Sequence, residues 1–139
     1  MEARELIRMA EEAAKGAYAP YSRFQVGAAL VCEDGSVYTG CNIENASYGL
    51  TVCAERVAIF KAVSEGKRKL KALAVAGREA DGEFRNFCAP CGACRQVIAE
   101  FARKDMKIIL GRSCGELREW TIAELLPESF QMEDENAGI

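Results

Sequence analysis

The apolar positions along the chain change their period several times, and each change marks an element. Leu6, Met9, Ala10, Ala13 and Ala14 recur at helical spacing, with Glu and Arg on the opposite face. That pattern predicts an amphipathic helix over residues 3–16, ended by Gly16. Tyr18 to Arg23 reads as a loop. Gln25 to Cys32 is apolar and suited to a strand, Glu33-Asp34-Gly35 makes a turn, and Ser36 to Cys41 returns, together a hairpin. After a polar stretch from Asn42 to Tyr48, a second helical period runs from Cys53 to Glu65 and stops at Gly66. Leu70 to Gly77 is an apolar strand. Pro90 opens a helix from Cys91 to Arg103 with Val97, Ile98 and Phe101 on its inner face, and Met106 to Leu110 is another buried strand. Thr121 and Glu124 have the spacing of a capping box for a short last helix before Pro127, and residues 132–139 form an acidic tail.

This order of helix, hairpin, helix, strand, helix, strand predicts a three-layer α/β/α sandwich around a mixed sheet of about five strands, its later strands joined by right-handed crossovers. A length of 139 residues suits one domain spanning 1–139.

Composition narrows the chemistry. A net charge of −3 gives no broad basic field for a nucleic-acid polymer. No apolar run approaches the ~20 residues needed to span a bilayer. The first residues mix acids with bases and lack the core of a secretory signal, so the expected compartment is the cytoplasm. There the seven cysteines read as thiols or metal ligands, not as a disulfide framework. The chain has no histidine. A zinc site must therefore be thiolate-rich, and a general acid or base must be something other than imidazole.

Pro90-Cys91-Gly92-Ala93-Cys94 is a P-C-x-x-C motif, and Cys53-Ala54-Glu55 is a C-x-E motif, Cys53 standing 38 residues upstream of Cys91. At a helix start Cys91 and Cys94 share a face and can fill two corners of a zinc tetrahedron. Cys53 supplies the third, leaving the fourth corner for water, the pattern of a catalytic site. Glu55 is placed to exchange protons there without binding the metal. Three thiolates blunt the Lewis acidity of zinc. Two helix N-termini, and Arg56 or Arg95 as donors to the sulfurs, pull the other way; Arg56 is favoured because it lies nearer Cys53. Cys88 offers a fourth thiol, enough for a closed zinc site or an iron–sulfur cluster. It precedes Pro90 by two residues in extended chain, so it is assigned to packing. Cys32, Cys41 and Cys114 lack ligand spacing and read as buried small hydrophobes.

A non-ligand Glu ahead of P-C-x-x-C is the pattern of the zinc nucleobase deaminases. Over nearly its whole length the chain resembles the small homotetrameric cytidine deaminases. The likeness is carried by Phe24-Gln-Val-Gly-Ala-Ala, Gly40-Cys-Asn-Ile-Glu-Asn-Ala-Ser-Tyr-Gly, Cys53-Ala-Glu-Arg, Pro90-Cys-Gly-Ala-Cys-Arg-Gln-Val and Leu125-Leu-Pro-Glu-Ser-Phe. The resemblance implies one zinc per subunit and hydrolysis of cytidine and deoxycytidine to uridine and deoxyuridine, in pyrimidine salvage. It implies that Asn42 and Glu44 bind the ribose, that Phe24 packs against the base and that the carbonyl of Ala89 receives the amine, with Ala54 also in the substrate site. It further implies a homotetramer with shared sites, Tyr48 near an intersubunit wall and Phe130 stacking on the base in a neighbour's site. Glu44, and the lack of a Gly-rich phosphate loop, argue for a free nucleoside. Two alternatives stand beside this: a deaminase of a cytosine-nucleoside antibiotic such as blasticidin S, and a structural zinc module without activity.

Overall fold

The computed structural model describes residues 1–132; the acidic tail lies, from residue 133, outside the described residues. In chain order the elements are α1 (Ala3–Ala14), β1 (Phe24–Cys32), β2 (Val37–Cys41), a 3-10 turn (Tyr48–Leu50), α2 (Ala54–Ser64), β3 (Leu70–Glu79), α3 (Gly92–Phe101), β4 (Ala102–Gly111), β5 (Leu117–Trp120) and α4 (Ile122–Leu125). The five strands form one mixed sheet in the order β2-β1-β3-β4-β5. Its pairs are antiparallel except β3 and β4, which run parallel and are joined through α3.

Alternation along the strands divides the core into two layers. Ala28 and Leu30 of β1, Leu73 and Val75 of β3, and Ile108 and Leu110 of β4 face α2 and α3, where they meet Ala58, Ile59, Ala62 and Ile98. The intervening positions, Ala29, Val31, Ala74, Ala76 and Ile109, face α1 and meet Leu6, Ile7 and Ala10. This is the three-layer sandwich expected from the sequence. Two glycines let the helices approach. A Cβ on Gly27 would strike the backbone of Ala10 and Ala14, and one on Gly40 would lie 2.6 Å from the Ala54 carbonyl and the Ala58 nitrogen. Through Gly40 the start of α2 is pressed against β2 beside Asn42.

Three local readings change. The helix expected to reach Arg103 ends at Phe101, because Ala102 turns extended and pairs with Leu70 to begin β4. The fifth strand is Leu117–Trp120, which pairs with Ile108–Gly111 and had no apolar run to mark it. Cys114 is exposed and Cys41 half-buried, so only Cys32 of that trio is a buried small hydrophobe; Cys114 falls in the turn between β4 and β5. The last helix forms with its capping box complete, Thr121 and Glu124 bonding reciprocally.

Candidate active site

Both long helices on one face of the sheet begin with a cysteine. Cys53 precedes α2 and Cys91 precedes α3, each with extended backbone and neither spending its side chain on capping its own helix. Their sulfurs lie 3.9 Å apart. Cys94, on the first turn of α3 and fully buried, brings its sulfur to 3.5 Å from that of Cys91. All three ligand atoms fall within 4.8 Å of one another. Zinc–sulfur bonds of about 2.3 Å require sulfurs about 3.8 Å apart in a tetrahedron. The donor set and its spacing fit zinc. Cys88 is not part of this cluster, and burial pushes its thiol up to about 11.

The surroundings favour negative charge on one of these sulfurs, that of Cys53. The neighbouring Cys94 thiol, and then the Arg56 guanidinium beside it, pull the Cys53 thiol down to about 5. The proximity of Cys53, and then burial, push the Cys94 thiol upward. Arg56 Nη2 donates to Cys53 Sγ at 3.5 Å. Arg95 is occupied elsewhere, donating to the carbonyls of Pro90 at 2.8 Å and Leu125 at 2.7 Å. The N-terminal ends of α2 and α3 add roughly +0.5 charge each beside the cluster.

Glu55, two positions beyond Cys53, is only 4 % exposed. Burial pushes its carboxyl up to about 7, its own backbone amide pulling the other way. A carboxyl in that range can both accept and return a proton near neutrality.

A cavity of about 300 Å³ opens in front of these groups. Cys53, Ala54, Glu55, Ala89 and Cys91 line it, as do Phe24, Asn42, Glu44 and Tyr48. The two polar side chains at this wall are fixed by β1 and the loop before it. Asn42 Oδ1 accepts from the Val26 amide and its Nδ2 donates to the Phe24 carbonyl, both at 2.9 Å. One amide proton of Asn42 is left for another partner. Glu44 Oε1 accepts from the backbone of Tyr21 at 2.9 Å and Ser22 at 3.1 Å. Burial alone would raise the Glu44 carboxyl, but the hydrogen bonds from Ser22 and from these amides outweigh it and hold it below the ordinary carboxylate range.

Most of the residues singled out from the sequence thus line one cavity; Cys94 and Arg56 do not line it and join it through the cysteine cluster and Cys53. Phe130 does not line the cavity; the residue is 72 % exposed, and its carbonyl accepts from Gln96 at 3.0 Å. Ser22, Val26, Thr51 and Cys88 also line the cavity and were not expected there. Val26 shares strand alternation with Phe24 and could have been found by that signal. Ser22 and Thr51 sit in loops where no periodicity points inward.

Comparison with known proteins agrees with this geometry. Residues 1–110 match the family model described as the cytidine and deoxycytidylate deaminase zinc-binding region. A cytidine deaminase from Halalkalibacterium halodurans is 54% identical over 98% of this chain and 99% of its own length. One from Sporosarcina psychrophila is 52% identical over 96% of this chain and 95% of its own. The crystal structure of cytidine deaminase from Burkholderia pseudomallei superimposes with a TM-score of 0.85 at 47% identity, covering 94% of this chain and all of that one. A blasticidin-S deaminase from Bacillus cereus is more distant, 32% identical over 91% of this chain and 90% of its own length.

Proposed function

The chain belongs to the cytidine and deoxycytidylate deaminase zinc-binding family, and on that premise we propose that it hydrolyses cytidine and 2'-deoxycytidine to uridine and 2'-deoxyuridine with release of ammonia. One observation carries the reading: three convergent thiols at two helix starts, with the buried carboxyl of Glu55 in the same cavity. Zinc held by Cys53, Cys91 and Cys94 supplies, when bound, the Lewis acidity that makes water a nucleophile at neutral pH. Glu55 takes a proton from the attacking water and gives it to N3 of the ring as C4 becomes tetrahedral, then moves the proton of the new C4 hydroxyl to the amino group, which leaves as ammonia while the C4 carbonyl forms. Arg56 stabilises the thiolate of Cys53. Asn42 and Glu44 retain the hydrogen-bonding capacity to hold ribose hydroxyls, Phe24 packs against the base, and the Ala54 and Ala89 backbones border the reacting amine.

A structural zinc module would have no use for a carboxyl buried beside an open cavity, and burying it costs stability. Residues 1–139 act as one unit in pyrimidine salvage in the cytoplasm; none of the described helices is long and apolar enough to cross a membrane. The working assembly is a homotetramer in which Phe130 reaches a neighbour's site and Tyr48 lies at the wall between subunits. The exposure of Tyr48, Leu50 and Phe130 supports this, and light scattering should give four chains per particle.

The test of the activity is the ultraviolet loss of cytidine absorbance with and without a chelator, run beside blasticidin S, free cytosine and cytidine monophosphate. Cytidine should be turned over in a zinc-dependent manner and far faster than cytosine, whose missing sugar leaves the remaining hydrogen-bonding capacity of Asn42 and Glu44 unused. Preference for blasticidin S, or no turnover of any of the four, would overturn the assignment.

A further inference from the structure

Three stacks of arginine on an aromatic ring converge on the segment between β3 and α3, which carries Cys88, Ala89 and Cys91. Arg78 of β3 lies over the Phe84 ring at 5.2 Å, and Arg118 of β5 lies over Phe87 at 3.9 Å. These two fasten the segment to strands on either side. The third stack places Arg85 over the ring of Phe24 at 4.8 Å. It differs from the others because Phe24 lines the cavity and Arg85 does not. The guanidinium therefore meets the cavity wall through this ring.

The pair is closely held. A Cβ on Gly77 would lie 3.0 Å from Phe24 Cζ and 2.7 Å from Cys88 Sγ, so the ring tip occupies space that only glycine leaves open. The carbonyl of the same Gly77 accepts from the Arg85 backbone amide at 2.8 Å. Arg85 Nη2 donates to Glu79 Oε1 at 2.9 Å, which steers the guanidinium over the ring. A cation within about 6 Å of an aromatic centroid is attracted to the face of the ring. With its tip against Gly77 and a cation on its face, Phe24 is restrained from swinging out of the wall.

We propose that Arg85 is a positioning residue for the substrate base, acting through Phe24. The proposal rests on the nucleoside reading above, in which Phe24 packs against the base. Arg85 touches neither substrate nor the thiol cluster, so its effect falls on binding and not on the chemical step.

The experiment compares cytidine kinetics and uridine binding by calorimetry for the parent, Arg85→Ala, Arg85→Lys, Phe24→Leu and the Phe24→Leu/Arg85→Ala double variant. Arg85→Ala should raise KM for cytidine and Kd for uridine about two- to fivefold, the range of an exposed cation–π contact, with kcat within about twofold of the parent. Arg85→Lys keeps a cation for the ring and should recover most of that loss. In the Phe24→Leu background the Arg85→Ala change should add nothing, because no aromatic face remains for it to act upon. An unchanged KM in a cytidine-active Arg85→Ala variant would overturn the positioning role alone. So would an equal effect with and without the Phe24 ring. A parent chain inert toward cytidine and unable to bind uridine would overturn the nucleoside reading and this inference together.

Discussion

The two faces of the sheet are covered by helices that obey different rules. On one face α1 lays Leu6, Ile7 and Ala10 on Ala29, Val31, Ala74 and Ala76, an all-apolar contact made close by Gly27. On the other, α2 and α3 make an equally apolar contact through Ala58, Ile59, Ala62 and Ile98, but their first turns carry thiols and a buried carboxyl. The first face is what hydrophobic burial alone would choose. The second departs from that choice only at two helix starts, where unsatisfied backbone N–H groups and the helix dipole make negative charge tolerable. Reactivity is confined to the one part of a helix that can accommodate it, and stability is left to the rest.

The sharpest way to break this division is to alter one carboxyl. Glu55→Gln should lower turnover by about 10²- to 10⁴-fold while retaining one zinc per chain and the parent's unfolding midpoint. Activity within about tenfold of the parent, in a cytidine assay paired with metal analysis, would mean that the site face does not carry the proton transfer. The opposite face answers to the converse change. Leu6→Ala should cost about 2–5 kcal/mol in denaturant unfolding with kcat unchanged below the transition. A loss of kcat without loss of stability would show the faces to be coupled.

Smaller effects refine the boundary. The Glu44 carboxyl is held below its ordinary range in the folded chain, so the stability it contributes is present above its unfolded pKa of about 4.3 and is lost as the pH falls through the folded value. The parent should therefore lose stability between about pH 5 and pH 3 more steeply than Glu44→Gln, as read from unfolding midpoints across that range. The smallest effect expected is none. Cys88→Ala should leave the zinc content at one per chain, since that thiol is held protonated by burial and lies outside the cluster. Loss of metal there would replace a three-thiolate site with a four-thiolate one.

Much of this organisation was legible in the sequence, because periodicity and cap chemistry are local. Gly16, Gly66, Pro90 and the Thr121–Glu124 pair mark their helix ends in the chain itself, and the C-x-E and P-C-x-x-C motifs sit at the helix starts that their chemistry demands. β5 was not legible, since Leu-Arg-Glu-Trp becomes a strand only by pairing with β4. The start of β4 was lost for the same reason: Ala102 to Asp105 resembles the end of a helix until β3 is beside it. At the cavity, the fixing of Asn42 by the Val26 and Phe24 backbone and of Glu44 by the Tyr21–Ser22 turn depends on contacts 16 to 23 positions apart. Residue types announce what a side chain can bond, but only the fold decides how much of that capacity is already used.

Strand β2 closes one margin of the sheet, and a strand with one neighbour normally offers its outward carbonyls to any extended segment that drifts past. Register pairs Ala29 with Thr39 and Leu30 with Tyr38. The Asn42 amide bonds to the Val26 carbonyl and the Cys32 amide to that of Ser36, so residues 36, 38, 40 and 42 turn their backbone toward β1 and Thr39 turns outward. Lys61 of α2 reaches across and donates to this carbonyl at 2.5 Å. An incoming strand would have to displace an ammonium ion to extend the ladder there. At the far margin β5 is only four residues long and carries Arg118 and Glu119. Both borders thus resist the edge-to-edge stacking that leads to fibrils, and at β2 the guard is mounted on the same helix that presents Cys53 and Glu55.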